Sequence, residues 1–324
     1  MSWLTVQNLE KIYKGESVID QLSFSINQGI KLGIVGETGA AKTTLLKIIA
    51  GLLQADGGQV LLDGVKVNGP EDQLLPGHPA IGYVSQHFEL RNNYRVEEEL
   101  EMASNIDDQK AAYIFSICRI DHLLKRKTTE LSGGERQRIV LAKTLVKNPS
   151  LLLLDEPFSN LDPAHKNQMK GVLNELATNL SLTMVLVSHD GSDLLSWADS
   201  LLVLHRGKIV QFGSPAELYL NPANPYVAGL LGPFNQIEET DSALLKQLFF
   251  NYFPVKFPLI VRPEKLFLSA QKNEGVKGTV HQSFFMGGFW LVQVVVFEKI
   301  ICVQTLKSPW APGTPVWVSS IETA

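Results

Sequence analysis

Cysteine is nearly absent: the 324 residues contain two, Cys118 and Cys302, and they form no paired spacing. That argues against a disulfide framework or a cysteine-based zinc site and fits a reducing compartment. Positive charge is not in excess either. Lys and Arg total 29 against 33 Asp and Glu, a net charge of −4, so the electrostatic footprint of a nucleic-acid binder is missing and no nucleic-acid partner is expected. Long hydrophobic runs are lacking too. Runs such as residues 151–154 and 294–297 fall far short of the roughly 20 needed to cross a bilayer. The first ten residues lack a basic start followed by an apolar stretch, so no secretory signal is expected there and the chain is expected to stay in the cytosol.

What is present is an ordinary globular composition. Apolar residues make up 45% and charged residues 19%, enough for a real core and unlike disordered, collagen-like or coiled-coil chains. At roughly 150 residues per domain the length allows about two domains. Residues 3–232 alternate short β-rich runs with helical patterns, the order of an α/β domain. Within them, residues 30–35 read as a buried strand, 43–51 as a helix, 139–146 as a helix, and 151–154 and 183–187 as core strands. The Gly232-Pro233 break follows a Pro- and Asn-rich segment and sets the expected boundary, giving domains 1–232 and 233–324. The second domain reads as short strands separated by Gly, Pro and Asn, a small β barrel or sandwich.

Three motifs point to phosphate chemistry. Gly36, Glu37, Thr38, Gly39, Ala40, Ala41, Lys42 and Thr43, with Thr44 behind them, follow a strand and open a helix, as a P-loop does. Glycines let the backbone N–H groups face phosphate oxygens, Lys42 supplies a cation, and Thr43 offers a hydroxyl to Mg²⁺. Ala41 stands where the pattern has glycine. An α-region backbone at the helix start would accept its methyl without strain, and that is the expectation here. Next, the strand 151–154 ends in Asp155 and Glu156, two carboxylates at the edge of the sheet where α/β proteins bind ligands. Asp155 suits the Mg²⁺ shell and Glu156 suits orienting an attacking water, since phosphoryl transfer is catalysed by positioning and electrostatics. The third motif is Leu131-Ser132-Gly133-Gly134-Glu135, a Ser-Gly-Gly turn before a helix, where exposed N–H groups and the helix dipole make an anion site.

With the third motif lying between the other two, the sequence resembles the ATPase subunits of ABC transporters, whose signature reads LSGGQ or LSGGE. The resemblance covers residues 3–231 and implies further roles. Gln86, in Tyr83-Val84-Ser85-Gln86, resembles the family's glutamine that touches Mg²⁺ and relays nucleotide state to the membrane partner. His189 resembles the switch histidine at the γ-phosphate, and Asp162, in Ser159-Asn160-Leu161-Asp162, the aspartate that crosses the dimer interface. Tyr13 occupies the place of an aromatic that stacks on adenine. Such subunits pair head to tail as homodimers, each ATP lying between one P-loop and the partner's signature, which here is Ser132, Gly133, Gly134 and Glu135.

The tail, with Val261-Arg262-Pro263-Glu264 and Gly313-Thr314-Pro315, is similar to the TOBE-like, OB-like regulatory domain of importers for maltose, polyamines, ferric iron, sulfate or molybdate. It implies a peripheral subunit on the cytoplasmic face of the membrane. Integral permease subunits would be its partners, a solute-binding protein would act indirectly, and the solute is expected to be a polyamine or a metal or oxyanion. Few helical turns are visible between residues 96 and 124, where the family has a helical subdomain that grips the membrane subunits. The acidic run 97–101 there reads as a solvated helix face or as a surface pairing with a basic loop. Two other functions compete: an ABC ATPase outside transport, against which stand the single P-loop and the lack of a sustained heptad pattern, and a regulatory clamp with little turnover, favoured only by Ala41 and opposed by Asp155, Glu156 and His189.

Overall fold

The computed structural model of the protein describes residues 2–159, 161–241, 257–271, 275–307 and 310–320. Two compact units divide between Ala216 and Glu217. The first runs β1 (Leu4–Tyr13), β2 (Glu16–Ile26), β3 (Lys31–Val35), α1 (Lys42–Ile49), β4 (Gly57–Leu62), β5 (Val65–Lys66), β6 (Ile81–Val84), α2 (Val96–Glu101), α3 (Asp108–Cys118) and α4 (Gly133–Leu145). It continues with β7 (Leu151–Asp155), α5 (Pro163–Leu180), β8 (Thr183–Ser188), α6 (Ser192–Leu195), β9 (Ser200–His205), β10 (Lys208–Gly213) and the start of α7 (Pro215–Leu220).

Its main sheet has the order β10-β9-β3-β8-β7-β6, parallel from β9 to β6, with β10 antiparallel at one edge. Every residue of β7 and β8 is buried, as expected for parallel strands covered on both faces. A second, antiparallel sheet has the order β2-β1-β4-β5. One core joins the two, with Leu45, Leu46 and Ile49 of α1 packed among Leu4 and Val6 of β1, Leu32 and Ile34 of β3, and Leu151 and Leu153 of β7. Each fully buried side chain of that kind contributes about 1.5–3 kcal/mol.

Helix starts follow local chemistry. α4 begins six residues before the expected 139 because Ser132 and Glu135 form a capping box: Ser132 Oγ accepts the Glu135 N–H at 3.3 Å and Glu135 Oε2 accepts the Ser132 N–H at 2.8 Å. α5 starts at Pro163 behind the N-cap Asp162. Between 96 and 124 the structure has more helix than expected, the six-residue α2 and the eleven-residue α3. α3 buries Ala111, Ile114, Ile117 and Cys118 at helical spacing behind the Asp107 cap. The acidic run is not simply a solvated face either. Glu99 is fully buried, with Lys143 Nζ of α4 at 2.5 Å from its carboxylate.

The second unit contains the rest of α7, α8 (Pro225–Leu231), β11 (Asn235–Ile237), β12 (Leu259–Val261), β13 (Leu266–Ser269), β14 (Val276–Phe285), β15 (Trp290–Val296), β16 (Lys299–Thr305) and β17 (Pro315–Ser320). Five of these strands form an antiparallel sheet, β13-β17-β14-β15-β16, and β11 pairs with β12. β13 and β16 are the edges of that sheet yet lie near each other, so the sheet curls into a half-barrel. Alternate residues point inward, among them Val276, Val280, Val292, Val294, Ile301, Val303, Val316 and Val318. This compact unit starts at Glu217, and within it Arg262 ties α8 to the strands. Its guanidinium donates to the carbonyls of Ala228 at 3.1 Å, Gly232 at 3.0 Å and Pro233 at 3.1 Å.

Candidate functional site

Strand order assembles the site. β3, β8, β7 and β6 are successive parallel neighbours, so the segments leaving their carboxyl ends lie side by side: the loop 36–41, the His189 turn, the Asp155–Glu156 pair and the Gln86 turn. Registers Val35↔Ser188 and Asp155↔Val187 bring the first three level. This is the crevice where open α/β sheets bind ligands.

The loop after β3 is held tightly at its start and open at its tip. A side chain on Gly36 would place Cβ 2.3 Å from the Leu204 carbonyl oxygen, so only glycine fits. Glu37, Thr38 and Gly39 are exposed, and Gly39 takes φ +86°. Ala41 overturns the expectation of an unstrained helix start. It is the N-cap of α1 in the left-handed region, φ 75° and ψ 19°, a conformation that costs an L-residue roughly 1–2 kcal/mol. The sequence hides this because the methyl is small enough to be tolerated there. The Lys42 ammonium curls back over its own loop, donating to the carbonyls of Gly36 at 2.7 Å and Glu37 at 3.0 Å. Burial pushes the Lys42 pKa down, opposed by the charges of Glu156 and Asp155. Thr44, on α1, is half-buried.

Asp155 is buried and both its oxygens are engaged. Thr43 Oγ1 donates to Oδ1 at 3.0 Å and the Tyr83 hydroxyl donates to Oδ2 at 3.0 Å. Tyr83 was not among the residues expected from the sequence. Its signal is positional: it lies on β6, opposite Leu153 of neighbouring β7, three residues before Gln86. Burial, then the Asp155 charge, raises the Tyr83 pKa above its ordinary value, so the phenol remains a donor.

Glu156 takes φ 52°, and this left-handed backbone is fixed from two sides: its N–H donates to the Val187 carbonyl at 3.1 Å, and its own carbonyl accepts the Ser159 hydroxyl at 2.7 Å. Its carboxylate is 12% exposed, with Oε2 2.8 Å from His189 Nδ1 and Oε1 3.9 Å from Lys42 Nζ. Two carboxylates, one ammonium and one imidazole thus converge where β3, β7 and β8 end. Gln86 is exposed and Tyr13 is 46% exposed; among the described residues neither shares a hydrogen bond with this network. Lys11 Nζ lies 5.2 Å from the Tyr13 ring centre.

The turn 132–135 lies outside this network of hydrogen bonds. Ser132 and Gly133 are exposed, and the Ser132 N–H bond holds the Glu135 carboxyl below its ordinary value. Asp162 caps α5 by accepting the N–H groups of Ala164 and His165 at 3.0 Å each, which, with the His165 ring, also lowers its pKa. Asn160 lies outside the described residues.

The sequence profile of the ABC transporter family matches residues 19–159, and that of the TOBE domain matches residues 259–320. The chain is 38% identical over 320 residues to the glucose import ATP-binding protein GlcV of Saccharolobus solfataricus, covering 91% of this chain and 90% of that protein. It is 34% identical over 243 residues to the sulfate/thiosulfate import ATP-binding protein CysA of Nitrosomonas europaea, covering 72% and 66%. Among solved structures, cbiO1 from Clostridium perfringens superposes with a TM-score of 0.63 at 24% identity, over 68% of this chain and 92% of that one, which is a match of fold.

Proposed function

The chain belongs to the ABC transporter family of ATP-binding proteins and is an ATPase, and from that premise we propose that it powers solute import by hydrolysing ATP at two sites shared by a head-to-tail homodimer. The carrying observation is the convergence of Lys42, Asp155, Glu156 and His189 at adjacent strand ends, with Glu156 and His189 2.8 Å apart.

In this reading the loop 36–41 presents its N–H groups to the β- and γ-phosphates of ATP, and Lys42 exchanges the Gly36 and Glu37 carbonyls for phosphate oxygens. Glu156 accepts a hydrogen bond from the attacking water and aligns it with the γ-phosphorus, while His189 holds the carboxylate and faces the γ-phosphate. Thr43 Oγ1 and Asp155 Oδ1 are hard oxygen donors bonded to each other at 3.0 Å, a pair that fits Mg²⁺ together with substrate phosphates, and Gln86 would complete the set. When bound, that ion neutralises charge developing on the phosphate oxygens. Tyr13 offers its ring to the adenine.

Pairing explains the second surface. Nothing within 4 Å would oppose a Cβ on Gly133, so the chain's own packing does not call for glycine there. A nucleotide approaching from a partner does, and Ser132, Gly134, Glu135 and Asp162 line the same approach.

Import is supported by the names of the relatives, which carry glucose and sulfate/thiosulfate. These add sugars to the oxyanions, metals and polyamines suggested by the tail. No helix among the described residues is long and apolar enough to cross a membrane. In the family reading the transport path lies in separate permease subunits, against whose cytoplasmic face this chain docks, with a solute-binding protein acting through them. The test is ATP-dependent uptake in vesicles holding the chain with permease subunits that co-purify with it, run with radiolabelled glucose, sulfate and a polyamine. Uptake of one solute that stops with Glu156→Gln supports the reading; hydrolysis with no uptake of any solute tried and no association with the permease contradicts it.

A further inference from the structure

Beyond the strand-end network, one side chain touches both segments that the pairing would turn toward a partner's nucleotide. His165 lies in the first turn of α5, and its Nδ1 is 2.6 Å from Asp162 Oδ2. The other carboxylate oxygen, Oδ1, already accepts the two N–H groups that cap the helix, so capping alone leaves Oδ2 without a task. The imidazole gives it one and so fixes the carboxylate plane. The same ring lies against the anion-site turn from below: a Cβ on Gly134 would come within 3.1 Å of His165 Cδ2. One turn further along both helices, Arg138 Nη1 reaches Gln168 Oε1 at 3.4 Å, a second tie between α4 and α5.

Core packing does not demand this arrangement. The His165 and Asp162 side chains are 48% and 58% exposed, so the ring would lose little by turning to water. It is held where it is by Asp162 on one edge and shaped to Gly134 on the other. Glycine at 134 leaves room for the approach; a Cβ there would crowd the ring, which would have to give by a few tenths of an ångström.

We infer that His165 is a positioning residue that locks Asp162 to the Ser132–Glu135 turn, so that the two segments meet the nucleotide on the partner's P-loop as one rigid unit. This rests on the head-to-tail reading. Its consequence is kinetic. ATP is held mainly by the loop 36–43, which His165 does not touch, whereas closure over the phosphates needs both segments in place at once, and misplacement by about 1 Å at such a site costs up to 10²-fold in rate.

The experiment compares full-length wild type, His165→Ala, His165→Asn and Gln168→Ala by phosphate release against ATP concentration and by binding of a fluorescent ATP analogue. Asparagine places an amide donor where Nδ1 stands. We expect His165→Ala to lower kcat about tenfold with KM and analogue affinity within about twofold, and His165→Asn to recover most of the loss. Gln168→Ala, which cuts the other tie and leaves the ring, is expected to stay near wild type. A His165→Ala enzyme with wild-type kcat, one whose analogue affinity falls as far as its kcat, or an asparagine variant no better than alanine would overturn the assignment. Absence of turnover in the wild type would instead overturn the reading of the paired sites, and is recognised without any variant.

Discussion

His189 Nδ1 and Glu156 Oε2 stand 2.8 Å apart, joining the end of β8 to the end of β7 across the crevice. The contact orients the Glu156 carboxylate, which among the described residues takes no hydroxyl donor, whereas Thr43 and Tyr83 hydroxyls occupy both oxygens of Asp155. In the proposed reading this divides the work between two neighbouring acids, Glu156 for the attacking water and Asp155 for the ion.

Glu156→Gln is expected to reduce phosphate release by roughly 10²–10³-fold, the size of loss seen when a preorganised electrostatic group is removed. ATP affinity, measured with a fluorescent analogue, should stay within about threefold because the loop 36–43 is untouched. His189→Ala should lower kcat in the same direction, with Glu156 present but unoriented.

Ala41→Gly should stabilise the protein. The left-handed backbone at φ 75° costs alanine roughly 1–2 kcal/mol, and glycine's greater freedom in the unfolded chain returns about 0.5–1 kcal/mol of that. The net gain of about 0.5–1 kcal/mol corresponds to a rise of roughly 1–4 °C in Tm. Ala41→Val, β-branched in the same conformation, should lower Tm instead.

Ala41 also shows where sequence reading stops. Residue types and their order disclosed the P-loop, the strand-end acids and the helix cap, because each is local chemistry at short spacing. Backbone sign is not encoded in the letter A, so the strain was invisible. Tyr83 escaped for a different reason: its partner Asp155 is 72 residues away and meets it only because β6 and β7 pair in parallel. The buried Glu99 looked like part of a charged surface until α4 supplied Lys143. The tie from Arg262 back to α8 across the Gly-Pro break is equally long-range and leaves no local signal.

Tyr83→Phe removes the donor to a buried carboxylate oxygen and should cost about 1–3 kcal/mol, read as a lower denaturant midpoint. Saturating ATP with Mg²⁺ should recover part of that loss if Asp155 serves the ion.

Arg262→Ala should destabilise the second unit by about 2–4 kcal/mol, since it leaves the carbonyls of Tyr219, Ala228, Gly232 and Pro233 without their shared donor. Calorimetry should show the transition of that unit shifting down, and Arg262→Lys should not restore it, because an ammonium cannot fork to four acceptors.

Glu135 links stability to pH. Its folded pKa is depressed, chiefly by the Ser132 N–H, so its contribution is fully present above the ordinary value of 4.5 and is lost as pH falls through the lower folded value. Denaturant midpoints between pH 7 and pH 3 should therefore fall less steeply in Glu135→Gln than in wild type.

The central claim is that each hydrolytic site is built from two subunits, and complementation tests it most directly. Lys42→Ala lacks a working P-loop and Ser132→Arg lacks a working signature turn, so each homodimer should be inactive. In an equal mixture about half the dimers are mixed and each regains one intact site, so turnover should return to about a quarter of the wild-type rate. A mixture as inactive as its components would contradict the account.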